Sequence, residues 1–209
     1  MSMKRPAWLL ALVLGAVWGF LEGTWFFLVP DVLLSFVAIR SLRRAFEAAA
    51  GVVLGALVAA CVLYGLLSLD RGTASAIQIE RFWSALPGFR AGMMARASGY
   101  LESQGARGLL LGPGSGLPYR VFVFEAYRLG IPLSGILFWT PLARLERIVL
   151  APIIVATTRA ALRRIAGAWL PTCDARRCDR LLVILVSSYW VGLYGWYWFV
   201  FLPRTYGTN

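Results

Sequence analysis

Residues 7–39 form one nearly unbroken apolar run with basic residues at both ends, Lys4 and Arg5 before it and Arg40, Arg43 and Arg44 after it. Basic residues near membrane ends mark the cytoplasmic side. The run therefore has to begin and end on the same side. At about 1.5 Å per residue it is too short for two full helical crossings. It is long enough to enter and return as a re-entrant hairpin, and Glu22-Gly23 to Pro30-Asp31 is its natural break. Glu22 lies within the run, where a charge at a helix centre costs about 2.5–3.5 kcal/mol on insertion scales. Such a carboxylate is expected to face a cavity or a partner. Non-helical backbone at that depth is tolerated only where protein or water covers it.

The rest of the chain is also that of an integral membrane protein. It has 209 residues, 59% of them hydrophobic, and a mean hydropathy of +0.70. We expect one all-α membrane domain over 1–209 with no soluble domain. The net charge is +11, and of 21 basic residues one is lysine, Lys4. In a membrane protein this charge orients the chain and attracts anionic head groups, so nucleic acid is not an expected partner. The absence of histidine excludes Ser-His-Asp catalysis, HExxH metalloproteases and His-ligated metals. Cys173 and Cys178 have no second pair and make a poor zinc site; Cys61 reads as a packing residue. No metal and no cofactor are expected. The N-terminal run shows no clear cleavage site and reads as retained.

Segment 45–69 is long enough to span. The stretch 70–105 reads as an outer loop whose Phe89, Met93, Ala97, Tyr100 and Leu101 make one face of an amphipathic, interfacial helix. A second interrupted stretch follows at 106–130. It is broken by Gly112-Pro113-Gly114-Ser115-Gly116-Leu117-Pro118 and carries Arg120, Glu125 and Arg128. It reads as a second re-entrant hairpin that enters from the opposite face. A spanning helix over 132–165 carries Arg144, Glu146 and Arg147 mid-way, with kinks possible at Pro141 and Pro152. The last spanning helix, 181–203, ends in aromatics that suit an interface belt. Arg159, Arg163, Arg164, Arg176, Arg177 and Arg180 mark the loop before it as cytoplasmic. The total is three to four spanning helices around two opposed hairpins. Paired interrupted segments of this kind point to a transporter binding site.

Phe20-Leu21-Glu22-Gly23-Thr24-Trp25-Phe26-Phe27 and Val29-Pro30-Asp31-Val32-Leu33-Leu34 resemble the opening motif of the DedA superfamily, also called SNARE-associated or VTT-domain proteins, and its YqaA-like branch in particular. Gly116-Leu117-Pro118-Tyr119-Arg120-Val121-Phe122 resembles the start of that branch's second re-entrant segment. Arg144 and Arg147 match a basic pair on the following helix. The resemblance covers about residues 15–165. It departs at Leu28-Val29, where relatives usually carry a second proline, and at Glu125, where glycine-containing stretches are commoner. It implies a bacterial inner-membrane protein, N-terminus cytoplasmic, that moves undecaprenyl phosphate or phospholipid head groups between leaflets, with embedded acids coupling to protons.

The candidate substrate- and proton-binding residues are Glu22, Asp31, Arg120, Glu125, Arg128, Arg144 and Arg147. Arginine is suited to phosphate because its planar fork stays charged. Each residue also has a structural reading. Glu22 can pair with Arg144 or Arg147, Asp31 can be an N-cap, Arg120 can snorkel, and Glu125 with Arg128 can be a local helical pair. Three functional classes follow. The first is a flippase- or scramblase-like lipid or lipid-phosphate translocator. The second is a non-transporting scaffold or assembly factor with structural charges. The third is an intramembrane lipid enzyme, disfavoured by the missing histidines. A homo-oligomer is compatible with all three.

Overall fold

The computed structural model describes the backbone of residues 7–69, 73–86, 88–169 and 175–207. Lys4, Arg5, Asp70, Arg71 and Cys173 lie outside them. The described residues are mostly helical, with no strand. Among the described residues, three helices are long and apolar enough to cross a membrane: Ala7–Thr24, Leu42–Ser68 and Arg176–Tyr206. The protein is an all-α membrane protein.

The chain begins with α1 (Ala7–Thr24), a turn, α2 (Pro30–Arg40) and α3 (Leu42–Ser68). Val29 is extended ahead of Pro30, which starts α2 without an orphaned N–H. Ser41 ends α2 and caps α3 by accepting from the Arg44 N–H at 3.3 Å. Glycines set how α1 meets α3. A Cβ on Gly15 would run into the Ala48 carbonyl and one on Gly19 into that of Val52, while Gly51 and Gly55 meet the Leu12 and Ala16 carbonyls in return. This is the small-residue crossing of membrane helices. The pairs rise together, so α1 and α3 run parallel and α2 returns between their ends. Averaged over both sets of contacts, Thr24 is level with about Ala60, and α3 continues for roughly 12 Å beyond it. Gly55→Leu is expected to prevent this approach and destabilise the fold by about 1–3 kcal/mol or more. Gly65, with nothing within 4 Å of a new Cβ, should accept alanine. Melting temperatures in detergent compare the two.

Two helices occupy 74–104, α4 (Ala74–Ser84) and α5 (Gly92–Gln104). Phe89, Met93, Ala97 and Leu101 are buried against the core. The stripe expected to lie in the interface is covered by protein instead. A 3₁₀ turn (Gly105–Leu111), α6 (Gly112–Ser115) and α7 (Tyr119–Arg128) follow. Gly116, at φ 71°, makes the left-handed turn between α6 and α7. The far end of α7 is tied to the far end of α3. Tyr127 donates to the Leu67 carbonyl at 3.0 Å, and Tyr64 donates to that of Ile131 at 2.9 Å. α7 thus runs from beside Gly23, which Tyr119 approaches, out to the end of α3.

α8 (Leu133–Trp169) continues through Pro141 and Pro152 for roughly 55 Å. Its central charges keep it out of the apolar set above. α9 (Ala175–Trp196) continues into a π turn (Tyr197–Phe201) and α10 (Leu202–Tyr206). α9 buries Leu182, Val186 and Trp190 at i, i+4 and i+8 against α2 and α8. One end of the molecule gathers the basic residues. Arg159 Nε and Nη2 each donate to Asp179 at 2.9 Å, Arg163 donates to the same carboxylate, and Arg159 also reaches the Arg40 carbonyl at 3.5 Å.

Candidate functional site

The tip between α1 and α2 meets the start of α7. Its exposed carbonyls are closed by side chains from distant segments. Trp18 Nε1 donates to Leu28 O at 3.2 Å, Trp83 Nε1 to Thr24 O at 2.9 Å, and Arg120 Nη1 to Phe26 O at 2.9 Å. The Val29 N–H donates to the Tyr194 hydroxyl at 2.7 Å. Backbone outside helices is thus covered by protein.

Four of the expected charges form two ion pairs behind this tip. Arg144 Nη2 donates to Glu22 Oε2 with both side chains buried. Arg147 Nη2 lies 2.6 Å from Asp31 Oδ2, and the arginine is 38% exposed where the carboxylate is 6%. The Arg144 guanidinium also stacks 4.4 Å from the Tyr119 ring centroid. Tyr119 is fixed by a 2.7 Å bond with Thr140, which donates in turn to Ile136 O. A hollow of about 60 Å³ touches both pairs, room enough for water. The charges at 144 and 147 are both inward because α8 presents i and i+3 on one face. Asp31 lies in the first turn of α2, where the helix dipole favours a carboxylate; it does not cap, since Val29 holds that position.

Arg120 differs from these four. It is 1% exposed, so it does not snorkel. Among the described residues it has no carboxylate at ion-pair distance. Its Nε, like that of Arg144, is buried without a hydrogen-bond partner. Its contacts are the Phe26 carbonyl and the Trp83 ring, 5.7 Å from Cζ to centroid. It lines a cavity of about 300 Å³ together with Glu22, Arg147 and aromatic side chains of α9 and the π turn. A buried guanidinium with spare donors in a cavity suits an anion.

Glu125 and Arg128 are not part of this cluster. Glu125 accepts from Ser98 at 2.7 Å and from Arg128 at 3.4 Å, and Arg128 also reaches Glu80 at 3.2 Å. They form a local pair toward the other end of α7. Glu146 is exposed on the opposite face of α8. Cys178 is buried at the start of α9. Among the described residues no three His, Cys, Asp or Glu side chains gather as a metal would need.

Sequence reading missed Trp83, Tyr194 and Tyr197. Trp83 is 2% exposed and touches both Thr24 after α1 and Arg120 of α7. Tyr197 donates to Gly116 O at 2.9 Å and Tyr206 to Ser115 O at 3.2 Å, so the C-terminal segment clamps the second break. Tryptophan and tyrosine in an apolar chain carry no mark that separates a lipid-facing belt from a cavity wall. Trp83→Phe removes the bond to Thr24 and is expected to cost about 1–3 kcal/mol; an unchanged melting temperature would refute that latch. Compared with known proteins, the chain matches no family model, no curated protein and no solved structure.

Proposed function

We propose that the protein translocates lipids or lipid phosphates between leaflets, in the manner of a flippase or scramblase. The observation that carries this reading is Arg120: a buried guanidinium with an unpaired Nε, no carboxylate partner among the described residues, and a face on a cavity. Desolvated arginine that is not already neutralised is what a phosphate head group requires at membrane depth. Arg147, half-exposed beside Asp31, supplies a second cation at the same cavity. Glu22 and Asp31 are the groups through which protons would couple. The resemblance to the DedA superfamily points the same way, and with it come a bacterial inner membrane and a cytoplasmic N-terminus. In this reading α1–α2 and the 106–130 segment are opposed re-entrant hairpins. The return of α2 beside α3 and the meeting of Phe26 with Arg120 support that arrangement.

A second reading has its own support. Both embedded acids are already paired with arginines, as they would be in a scaffold whose charges only hold helices together.

Purified protein in vesicles tests the first reading. Labelled phospholipid or polyprenyl-phosphate head groups should change leaflet faster than in empty vesicles. Equal rates would sink it. Cysteine-accessibility mapping across 15–35 and 106–130 tests the hairpins: two complete crossings would remove their basis.

A further inference from the structure

A further hollow, of about 350 Å³, opens between α8 and α9. Ser35, Val155, Val186 and Trp190 form its floor, and the exposed Ile154 and Leu185 form its lips. It follows α8 from Arg147 to Thr158, a length of roughly 16 Å. Its walls are apolar along most of that length, and its charged groups, Arg147 and Asp31, sit together at one end. At that end it shares Arg147, Trp190 and Leu193 with the Arg120 cavity. The two hollows are therefore neighbours with these side chains in the walls of both: a cationic chamber lies beside one end of an apolar slot between two helices.

Exposed apolar lips alone are expected on any membrane protein. The informative combination is a concave apolar slot with a cationic chamber at one end. A free anion would use the chamber and leave the slot unused. A molecule with an anionic head and an apolar chain fits both at once. We propose that the α8/α9 groove is the lateral portal and tail slot for an amphiphile with an anionic head group. The head sits at Arg120 and Arg147, and the tail lies along α8 toward Thr158. This rests on the translocation reading and adds to it the route by which substrate enters and the part of the protein that orders its tail.

The test uses the full chain in phosphatidylcholine vesicles with phosphatidic acid carrying a diazirine near its tail end. Labelled peptides are mapped after irradiation. Labelling is expected on the groove faces of 150–158 and 182–193, and excess unlabelled phosphatidic acid should remove it where inorganic phosphate does not. Two variants close the slot: Ala151→Trp fills it, and Ile154→Trp covers its mouth from an exposed position that leaves the fold unstrained. Each is expected to lower groove labelling about tenfold. Leu145→Trp, exposed outside the groove, should label as wild type. Equal labelling by a phosphatidylcholine with the same tail, or unchanged labelling in both groove variants, overturns the portal. Head-group movement is measured in the same vesicles. Movement at wild-type rate in Ala151→Trp and Ile154→Trp overturns the portal and leaves translocation standing. Head-dependent groove labelling without movement in wild type supports the slot as a lipid-binding site and overturns translocation.

Discussion

Arg120→Met is expected to abolish head-group movement while leaving the protein within about 2 kcal/mol of wild-type stability. Two opposing effects set the second figure. Replacing a buried charge with an apolar side chain of similar length is often neutral or stabilising, by about 1–4 kcal/mol. The Phe26 carbonyl loses its donor, which costs about 1–3 kcal/mol. Affinity for the anion has no such compensation. Losing a desolvated charged partner costs about 2–5 kcal/mol or more, so movement should fall about a hundredfold or further. Arg120→Lys keeps a cation and loses the fork, so it should fall between the two. Vesicle movement and melting in detergent are read on the same preparations. A methionine variant that moves lipid at wild-type rate would exclude Arg120 from the path. One that melts much earlier with no change in movement would make it structural.

The second large effect is expected at the Glu22–Arg144 pair. Arg144→Ala leaves Glu22 buried without its cation, and breaking a buried pair in this way costs about 3–5 kcal/mol. It also removes the cation from the Tyr119 ring. Glu22→Gln leaves the complementary problem, an arginine without its carboxylate. The double variant Glu22→Gln with Arg144→Gln retains two side chains able to hydrogen-bond each other, and most of the lost stability should return. The double variant also separates the two functional readings. In a scaffold, restored stability restores the assembly it supports. In a translocator with coupled acids, the refolded double variant should still fail to move head groups. Wild-type movement in the double variant would remove Glu22 and Arg144 from the mechanism.

The elements that could be read in the sequence were those governed by rules of burial. The run 7–39 resolves into α1 and α2 with a turn at 25–29, because flanking arginines and Pro30 constrain it. Glu22 meets Arg144, since buried charges have to be paired. The i, i+3 spacing of Glu125 and Arg128 made their local pair legible as well. What was not legible depends on contacts between distant segments. Asp31 has a cap-like sequence context, yet Arg147 of α8 is its partner. The stripe from Phe89 to Leu101 has the spacing of an interfacial helix, and only the position of α7 shows that protein covers it. The aromatics of 189–199 read as a belt. Trp190 and Tyr197 instead face the cavity, and the π turn that helps to aim the second of them has no sequence signature.

The contacts that close the first tip have a consequence for how the chain is made. Trp83, Arg120 and Tyr194 are separated from their backbone partners by 59, 94 and 165 residues. On a ribosome, Thr24, Phe26 and Val29 emerge long before anything that satisfies them. Unsatisfied backbone cannot rest in hydrocarbon. In the re-entrant reading proposed above, the α1–α2 segment must therefore wait at the membrane surface or under the cover of an insertion factor while α3 goes in. It can settle at depth only after α7 has arrived, and it is sealed when α9 closes over Val29. In that reading, α1–α2 is synthesised before the segments that seal it and is among the last to reach its place.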